Sequence, residues 1–536
     1  MESPGANIGH ACTSRHCFAG NGERIAMHWR SARHERRSFT FAELDRESGR
    51  CSAALHASGL RAGETMFLFL PKVPELFFSF LGGLKHNLVV GTLFANIGEE
   101  AMLDRLADSG AAAIFIHHSY LRKLRKIRAD LPLLRKVIVV GGEGQMAGEI
   151  SYQQFLADAP LSYQAIATAP DTPSVLHYTS GSTGKPKGVL HCHRSIQHQL
   201  ATTRQVLGLV DGDIYWCTAE QGWVTGTSYG IIGPWGAGVT QVHFEGGYNA
   251  ADWLSVLREE RVTVWYTAPT ALRMLMREPE ELFRGTPLPA LRAIYSVGEP
   301  LNPEVVSWCR SVLGKEVYDT WFQTETGGIM IANRPGVTVK PGSMGLPVAD
   351  VEAAIVSEEG EVLPPGSIGS LAVKAGWSSM FVSYLNNPQA YQAKFLNGWY
   401  LTGDMAVRDG EGYFHFVGRS DDVINTAGHL VSPFEIESAL LELPEVAESA
   451  AVALPDPLLF EKVAVFVCLH RDHAATLDLD LKIRLHVTRK VSSVATPQEV
   501  VFVDAIPRNR SGKIMRRLLR ARHLGEPEGD TSTLEQ

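Results

Sequence analysis

Tyr178-Thr179-Ser180-Gly181-Ser182-Thr183-Gly184-Lys185-Pro186-Lys187-Gly188 decides the reading of this chain. The apolar run Val175–Tyr178 that enters it has the length of a buried strand. Gly181, Gly184 and Gly188 let backbone N–H groups come close to an anion, because glycine takes positive φ without steric cost. Thr179, Ser180, Ser182 and Thr183 add hydroxyl donors, and Lys185 and Lys187 add positive charge. The set suits a polyphosphate. It is not a P-loop, which needs Ser or Thr after Gly-Lys where this chain has Pro186. No strand–GxGxxG–helix unit is present, which sets aside a dinucleotide-binding dehydrogenase.

Around this loop, apolar strand-like runs alternate with helical patterns. Met66–Leu70 precedes a helix pattern over Glu75–His86, and Val262–Thr267 precedes one over Thr270–Met276. Ala113–Ile116 and Lys136–Val140 read as further buried strands. Such alternation implies an α/β fold with mainly parallel pairing. From about 341 to 418 the texture changes to short strands, among them Val351–Val356 and Ser370–Val373, between Gly and Pro turns. That predicts a β-rich subdomain. Glycine and charge at Gly418-Arg419-Ser420-Asp421-Asp422 mark a boundary. The expected organisation is a large N-terminal domain over 1–420 and a small, mobile α+β C-terminal domain over 421–536. The second holds a helix pattern at Pro433–Leu443 and strands at Ala450–Leu454 and Val463–Leu469. It ends in a basic run through Lys513, Arg516, Arg517, Arg520 and Arg522.

The 536 residues carry 50 Lys+Arg against 58 Asp+Glu, a net charge of −8, which argues against a nucleic-acid partner. Seven scattered cysteines are no secreted disulfide framework and favour a reducing, cytoplasmic compartment. The most apolar early stretch, Met66–Leu84, contains Pro71, Lys72, Pro74 and Glu75 and so is no membrane span of about 20 residues. His191-Cys192-His193 is too local for a tetrahedral metal site and reads as a helix start after the loop.

Three further segments follow the loop: Gly222-Trp223-Val224-Thr225-Gly226-Thr227-Ser228-Tyr229, Ser296-Val297-Gly298-Glu299-Pro300, and Asp319-Thr320-Trp321-Phe322-Gln323-Thr324-Glu325-Thr326-Gly327. With these four motifs in order, the chain resembles the AMP-forming acyl-CoA synthetases of the adenylate-forming superfamily, and among them the acetyl-CoA synthetases, from about Phe39 to Arg522. The resemblance implies ATP-dependent ligation of a short-chain carboxylate to coenzyme A through an acyl-adenylate, with release of pyrophosphate and AMP. It implies Mg²⁺ on Glu325 and phosphate contacts from Thr179, Lys185 and the rest of the loop, and from Gln323 and Thr324. An adenine pocket would be formed by Gly298, Glu299, Pro300, Asp319, Thr320 and Trp321, and the ribose would meet Asp404 and Arg419. Lys513 matches the C-terminal catalytic lysine, Asp421 the hinge, and Gly428 the pantetheine channel.

The same resemblance puts Trp223, Val224, Thr225, Val297 and Phe322 around the acyl tail. Acetyl-CoA synthetases usually have tryptophan at the Phe322 position, so this pocket is expected to take acetate first and to tolerate propionate. A medium-chain, branched or aromatic acid, or a nucleotide-binding relative without turnover, is the alternative. Two positions depart from the family pattern: Leu430 stands where arginine is usual, and Leu458-Leu459-Phe460-Glu461 replaces a more polar segment.

Overall fold

The computed structural model describes residues 5–95, 97–157, 159–160, 163–179, 186–284, 287–427, 429–508, 513–528, 531 and 534. The fold is mixed α/β, as the alternation predicts. One large sheet runs 383–384, 187–192, 173–179, 89–92, 65–69, 113–117, 136–140, 149–151. A second runs 346–347, 331–332, 317–321, 293–297, 264–267, 214–217, 240–244, 25–30, 36–40. Pairing is parallel through most of each and antiparallel toward the edges. The entering strand, Pro173–Thr179, pairs antiparallel with Lys187–Cys192, with Thr179 opposite Lys187.

That hairpin corrects one expectation. His191 and Cys192 end a strand, and the next helix begins only at Ser195. The ladder fixes the backbone there, and the imidazoles serve it. His191 Nε2 donates to the Thr324 carbonyl at 2.8 Å, and His193 Nδ1 accepts from Ile8 N–H at 3.1 Å. No group of three or more His, Cys, Asp or Glu suited to a metal occurs among the described residues.

The helix Pro74–Lys85 ties the two large sheets together. Every residue in it except Glu75 is buried, as expected of a helix apolar on all sides. Phe77 meets Trp235 edge-on at 5.6 Å and the His243 ring of the second sheet at 3.9 Å. On another face Gly82 admits the helix Phe41–Ala57, since a Cβ there would lie 2.8 Å from that of Cys51. Lys85 at the helix end is buried with its ammonium 2.6 Å from Asp45 Oδ1. No helix among the described residues is long and apolar enough to cross a membrane.

A third, antiparallel sheet is built from 353–356, 368–374, 399–408 and 395–396, with 414–419 paired to 399–408. A fourth follows it: 429–431, 424–426, 460–469 and 446–456, with 499–502 parallel to 460–469. Among the described residues, no buried apolar cluster draws on both sides of residue 420. Away from that junction the two sides meet through polar groups. Arg277 reaches Glu448 at 2.7 Å and the Ala447 carbonyl at 3.1 Å, and Asn302 Nδ2 donates to Ser438 Oγ at 2.8 Å.

Phe77 fills the space between the sheets with no solvent exposure. Phe77→Ala is therefore expected to destabilise the N-terminal part by about 3–5 kcal/mol. Calorimetric unfolding would show this as a lowered first transition, with any separate transition of the C-terminal part unmoved.

Candidate active site

A cavity of about 870 Å³ opens at the carboxyl ends of the parallel strands of both sheets. Its wall takes Leu70, Leu93 and Thr179 from one sheet, and Thr218, Ala268, Gly298 and Trp321 from the other. Ligands of open α/β sheets bind at this end because the strand-to-helix turns leave a crevice there with free backbone groups.

Asp404 lies on one side of the cavity, almost fully buried, on the strand Trp399–Arg408. Its Oδ2 accepts from the Trp321 indole N–H at 3.1 Å and from Gln323 Nε2 at 3.0 Å. Arg419, opposite it in the antiparallel register, brings Nε to 3.4 Å from Oδ1. Burial raises the Asp404 pKa, while Arg419 first, then Lys513, Trp321 and Lys394 draw it back. Gln323 is itself fixed, donating to the Thr402 carbonyl and accepting from the Tyr400 hydroxyl. The result is a carboxylate held rigidly at the cavity wall, with hydroxyl-binding capacity.

Glu325 stands nearby. Tyr384 donates its hydroxyl to Glu325 Oε1 at 2.8 Å, and the Lys187 ammonium lies 5.4 Å from the centre of the Tyr384 ring. Lys394 also lines the cavity, its pKa lowered by burial above all. Lys513 faces the solvent of the cavity yet is crowded by protein. Burial first, and Arg419 second, lower its pKa, against the pull of Asp422, Asp404 and Asp421. Asp421 is exposed, 3.8 Å from Arg419 Nε.

Val224, Val297 and Phe322 belong to one buried apolar cluster, and Thr225 lines the same cavity. The Tyr229 ring meets Phe322 edge-on at 5.4 Å and is anchored by its hydroxyl, which accepts from Ile329 N–H at 2.7 Å. Trp223 stacks on Phe94 at 5.1 Å, its plane within 3° of parallel.

Three predicted residues line the cavity with their side chains committed elsewhere. Glu299 accepts from Thr270 Oγ1 and pairs with Arg273. Thr320 Oγ1 bonds the Ser296 carbonyl and the Tyr266 hydroxyl. Asp319 accepts from Ser296 Oγ at 2.5 Å, and burial pushes its carboxyl up to about 7 against that bond and the Thr320 N–H. Pro300 and Thr324 line the cavity as well, and Gly298 takes φ +89° with open space where a Cβ would stand. Ser180, Gly181, Ser182, Thr183, Gly184, Lys185 and Gly428 lie outside the described residues. Sequence reasoning missed Tyr384, Lys394, Arg273 and Arg508, all of which line the cavity. Each stands outside the four motifs, and only its cavity-facing position marks it.

The family model described as AMP-binding enzyme matches residues 14–385, and its C-terminal domain model matches 435–513. The chain belongs to the AMP-binding enzymes. Among curated relatives of this family, the acetyl-coenzyme A synthetase of Bacillus subtilis (strain 168) is 42% identical, over 99% of this chain and 92% of that protein. The acetyl-coenzyme A synthetase of Deinococcus radiodurans is 37% identical, over 99% of this chain and 85% of that protein. Among solved structures, an anthranilate CoA ligase in complex with anthranoyl-AMP superposes with a TM-score of 0.90 at 29% identity, covering 97% of this chain and 98% of that one.

The sequence resemblance puts the ribose on Asp404, and the Trp321 bond to that carboxylate makes the expectation testable. Trp321→Phe keeps an aromatic ring, a smaller one, and removes one hydrogen bond to a charged group, which is expected to weaken AMP binding about tenfold. Titration calorimetry checks this, with circular dichroism confirming the fold.

Proposed function

We propose that this chain ligates acetate to coenzyme A, with propionate as a second substrate. The observation that carries the reading is the small end of the pocket: Phe322, braced edge-on by Tyr229, beside Val224 and Val297. The names of the two curated relatives support it. In this reading a carboxylate oxygen attacks the α-phosphorus of ATP. The bond to the β-phosphate breaks, and pyrophosphate leaves. The thiol of coenzyme A then attacks the acyl carbon, loses its proton, and AMP leaves.

Both reactants of the first step are anions, so the protein's task is to position them and neutralise charge. We assign that role to Lys513, with Lys187 and the loop's Thr179 and Lys185 on the phosphates. Asp404 accepts the ribose hydroxyls. Thr324 and Gln323 stand at the phosphate side, although Gln323 also holds Asp404. Glu325 fits Mg²⁺, because a hard ion that keeps most of its waters takes a single carboxylate together with substrate phosphates. When bound, that ion would neutralise phosphate charge. The C-terminal domain, 421–536, then turns about Asp421 and brings the Gly428 segment to the site for the second step. The polar contacts across the boundary support such a movement. The seven free thiols support a cytoplasmic setting.

A larger acid is the second reading, favoured by the likeness to the anthranilate ligase. AMP formation with ATP, Mg²⁺ and coenzyme A over acetate, propionate, butyrate, isobutyrate, hexanoate and benzoate separates the two. The expected maximum is at acetate or propionate and depends on coenzyme A. A maximum at hexanoate or benzoate overturns the pocket assignment. Phe322→Gly is expected to move the preference toward longer acids, each added methylene gaining about 0.8 kcal/mol of burial.

The lowered pKa of Lys513 gives a pH signature. Its ammonium must be charged to neutralise phosphate, so acyl-dependent pyrophosphate exchange should fall as pH rises through that lowered value, below the usual lysine range. Lys513→Arg should remove this alkaline limb. A limb unchanged in that variant assigns the titration to another group.

A further inference from the structure

Lys513 lines the cavity and stands one residue before Ile514, which is bridged to Arg508. We propose that Arg508 is its positioning residue, a strut that ties the Lys513 segment across the domain boundary to Glu299. The proposal rests on the reading that Lys513 serves adenylate formation.

Arg508 and Ile514 form an isolated antiparallel bridge, and Met515 N–H donates to the Pro507 carbonyl at 2.9 Å. Arg508 is thus directly across from the residue that follows Lys513. Its own side chain is only 13% exposed, and it lies between two carboxylates. On the C-terminal side, Nε and Nη2 both reach Glu448 Oε2 at 3.4 Å. On the N-terminal side, Nη1 is 3.9 Å from Glu299 Oε2.

Neither carboxylate is loose. Glu299 follows the strand Ala293–Val297 and is clamped by Thr270 and Arg273 of the helix Pro269–Met276. Glu448 is gripped by Arg277, the residue that caps that same helix. One short helix therefore fixes both anchors of Arg508, and Arg508 fixes the register of the Lys513 segment. Glu299, matched by sequence to the adenine pocket, has its side chain turned to this network. The Arg508 guanidinium thereby links the pocket segment Gly298-Glu299-Pro300 to the strand bridge beside Lys513.

The geometry makes a specific demand. Loss of Arg508 should leave Lys513 present but misplaced, and a misplacement of about 1 Å costs on the order of 100-fold in rate. The effect belongs to the adenylate-forming step alone, because thioester formation from supplied acyl-adenylate does not use Lys513.

The test uses the full chain. Arg508→Ala, Arg508→Lys and Lys513→Ala are compared in two assays: acetate-dependent ATP–pyrophosphate exchange, and coenzyme A thioester formation from supplied acetyl-adenylate. Arg508→Ala is expected to lose about 100-fold in the kcat of exchange, with KM for ATP little changed and thioester formation within about threefold, a margin too small to reflect loss of a positioned catalytic group. Arg508→Lys should recover part of the loss, since it restores the charge but not the fork. Equal loss in both assays, a loss confined to KM for ATP, or no loss at all overturns the proposal. Lys513→Ala reports on the underlying reading. If it loses exchange while Arg508→Ala does not, only the strut fails. If Lys513→Ala keeps full exchange, the catalytic assignment of Lys513 fails, and any effect of Arg508 does not pass through it.

Discussion

A carboxylate taken out of water must be given donors, and the site is organised around doing this for Asp404. Its donors come from different parts of the fold. Trp321 and Gln323 arrive from the end of a parallel strand of the second large sheet, and Arg419 arrives from the neighbouring strand of the antiparallel sheet. One buried anion therefore ties the second large sheet to the antiparallel sheet. Arg419 carries the constraint further, since Asp421 lies 3.8 Å from its Nε and Asp422 and Glu325 also act on its charge. Charge-assisted contacts thus run from Trp321 and Gln323 through Asp404 to Arg419 at the junction.

The cavity mixes signs at short range. Lys187, Lys394, Arg419 and Lys513 line it together with Glu325 and Asp404. Burial above all, and the nearby Arg419 charge, lower both Lys394 and Lys513, because a cation crowded by protein loses hydration. The wall around Phe322 differs in kind: Phe322, Val224 and Val297 offer no charge, and Tyr229 turns its hydroxyl to the backbone N–H of Ile329.

Sequence patterning read the parallel strands well, because a strand buried on both faces is a continuous apolar run. Lys136–Val140 is a strand over the residues expected, and Met66–Leu70 is displaced by one residue to Thr65–Phe69. The patterning failed at His191-Cys192, where polar residues sit in a strand because distant backbone groups at Thr324 and Ile8 bond the imidazoles nearby. Glu299 shows the limit of motif matching. The motif put the residue at the pocket, but the side chain answers to Thr270 and Arg273, nearly thirty residues earlier, and no local spacing reveals that pair. Tyr384 and Lys394 were illegible for the same reason: long-range folding brings them to Glu325.

The boundary at 420 has a consequence of a different sort. Among the described residues, Phe416 meets Phe434 edge-on beside the junction, no buried apolar cluster spans it, and ions and hydrogen bonds cross it. Separating apolar faces exposes them to water at a cost that dissolved ions do little to reduce, whereas separating charges in contact with solvent is eased by every counter-ion present. Only the exposed pairs among these contacts are open to the medium. Dissolved ions therefore act on the partly exposed Arg277–Glu448 pair far more than on the buried Arg508–Glu299 pair, and the two do not share one salt response.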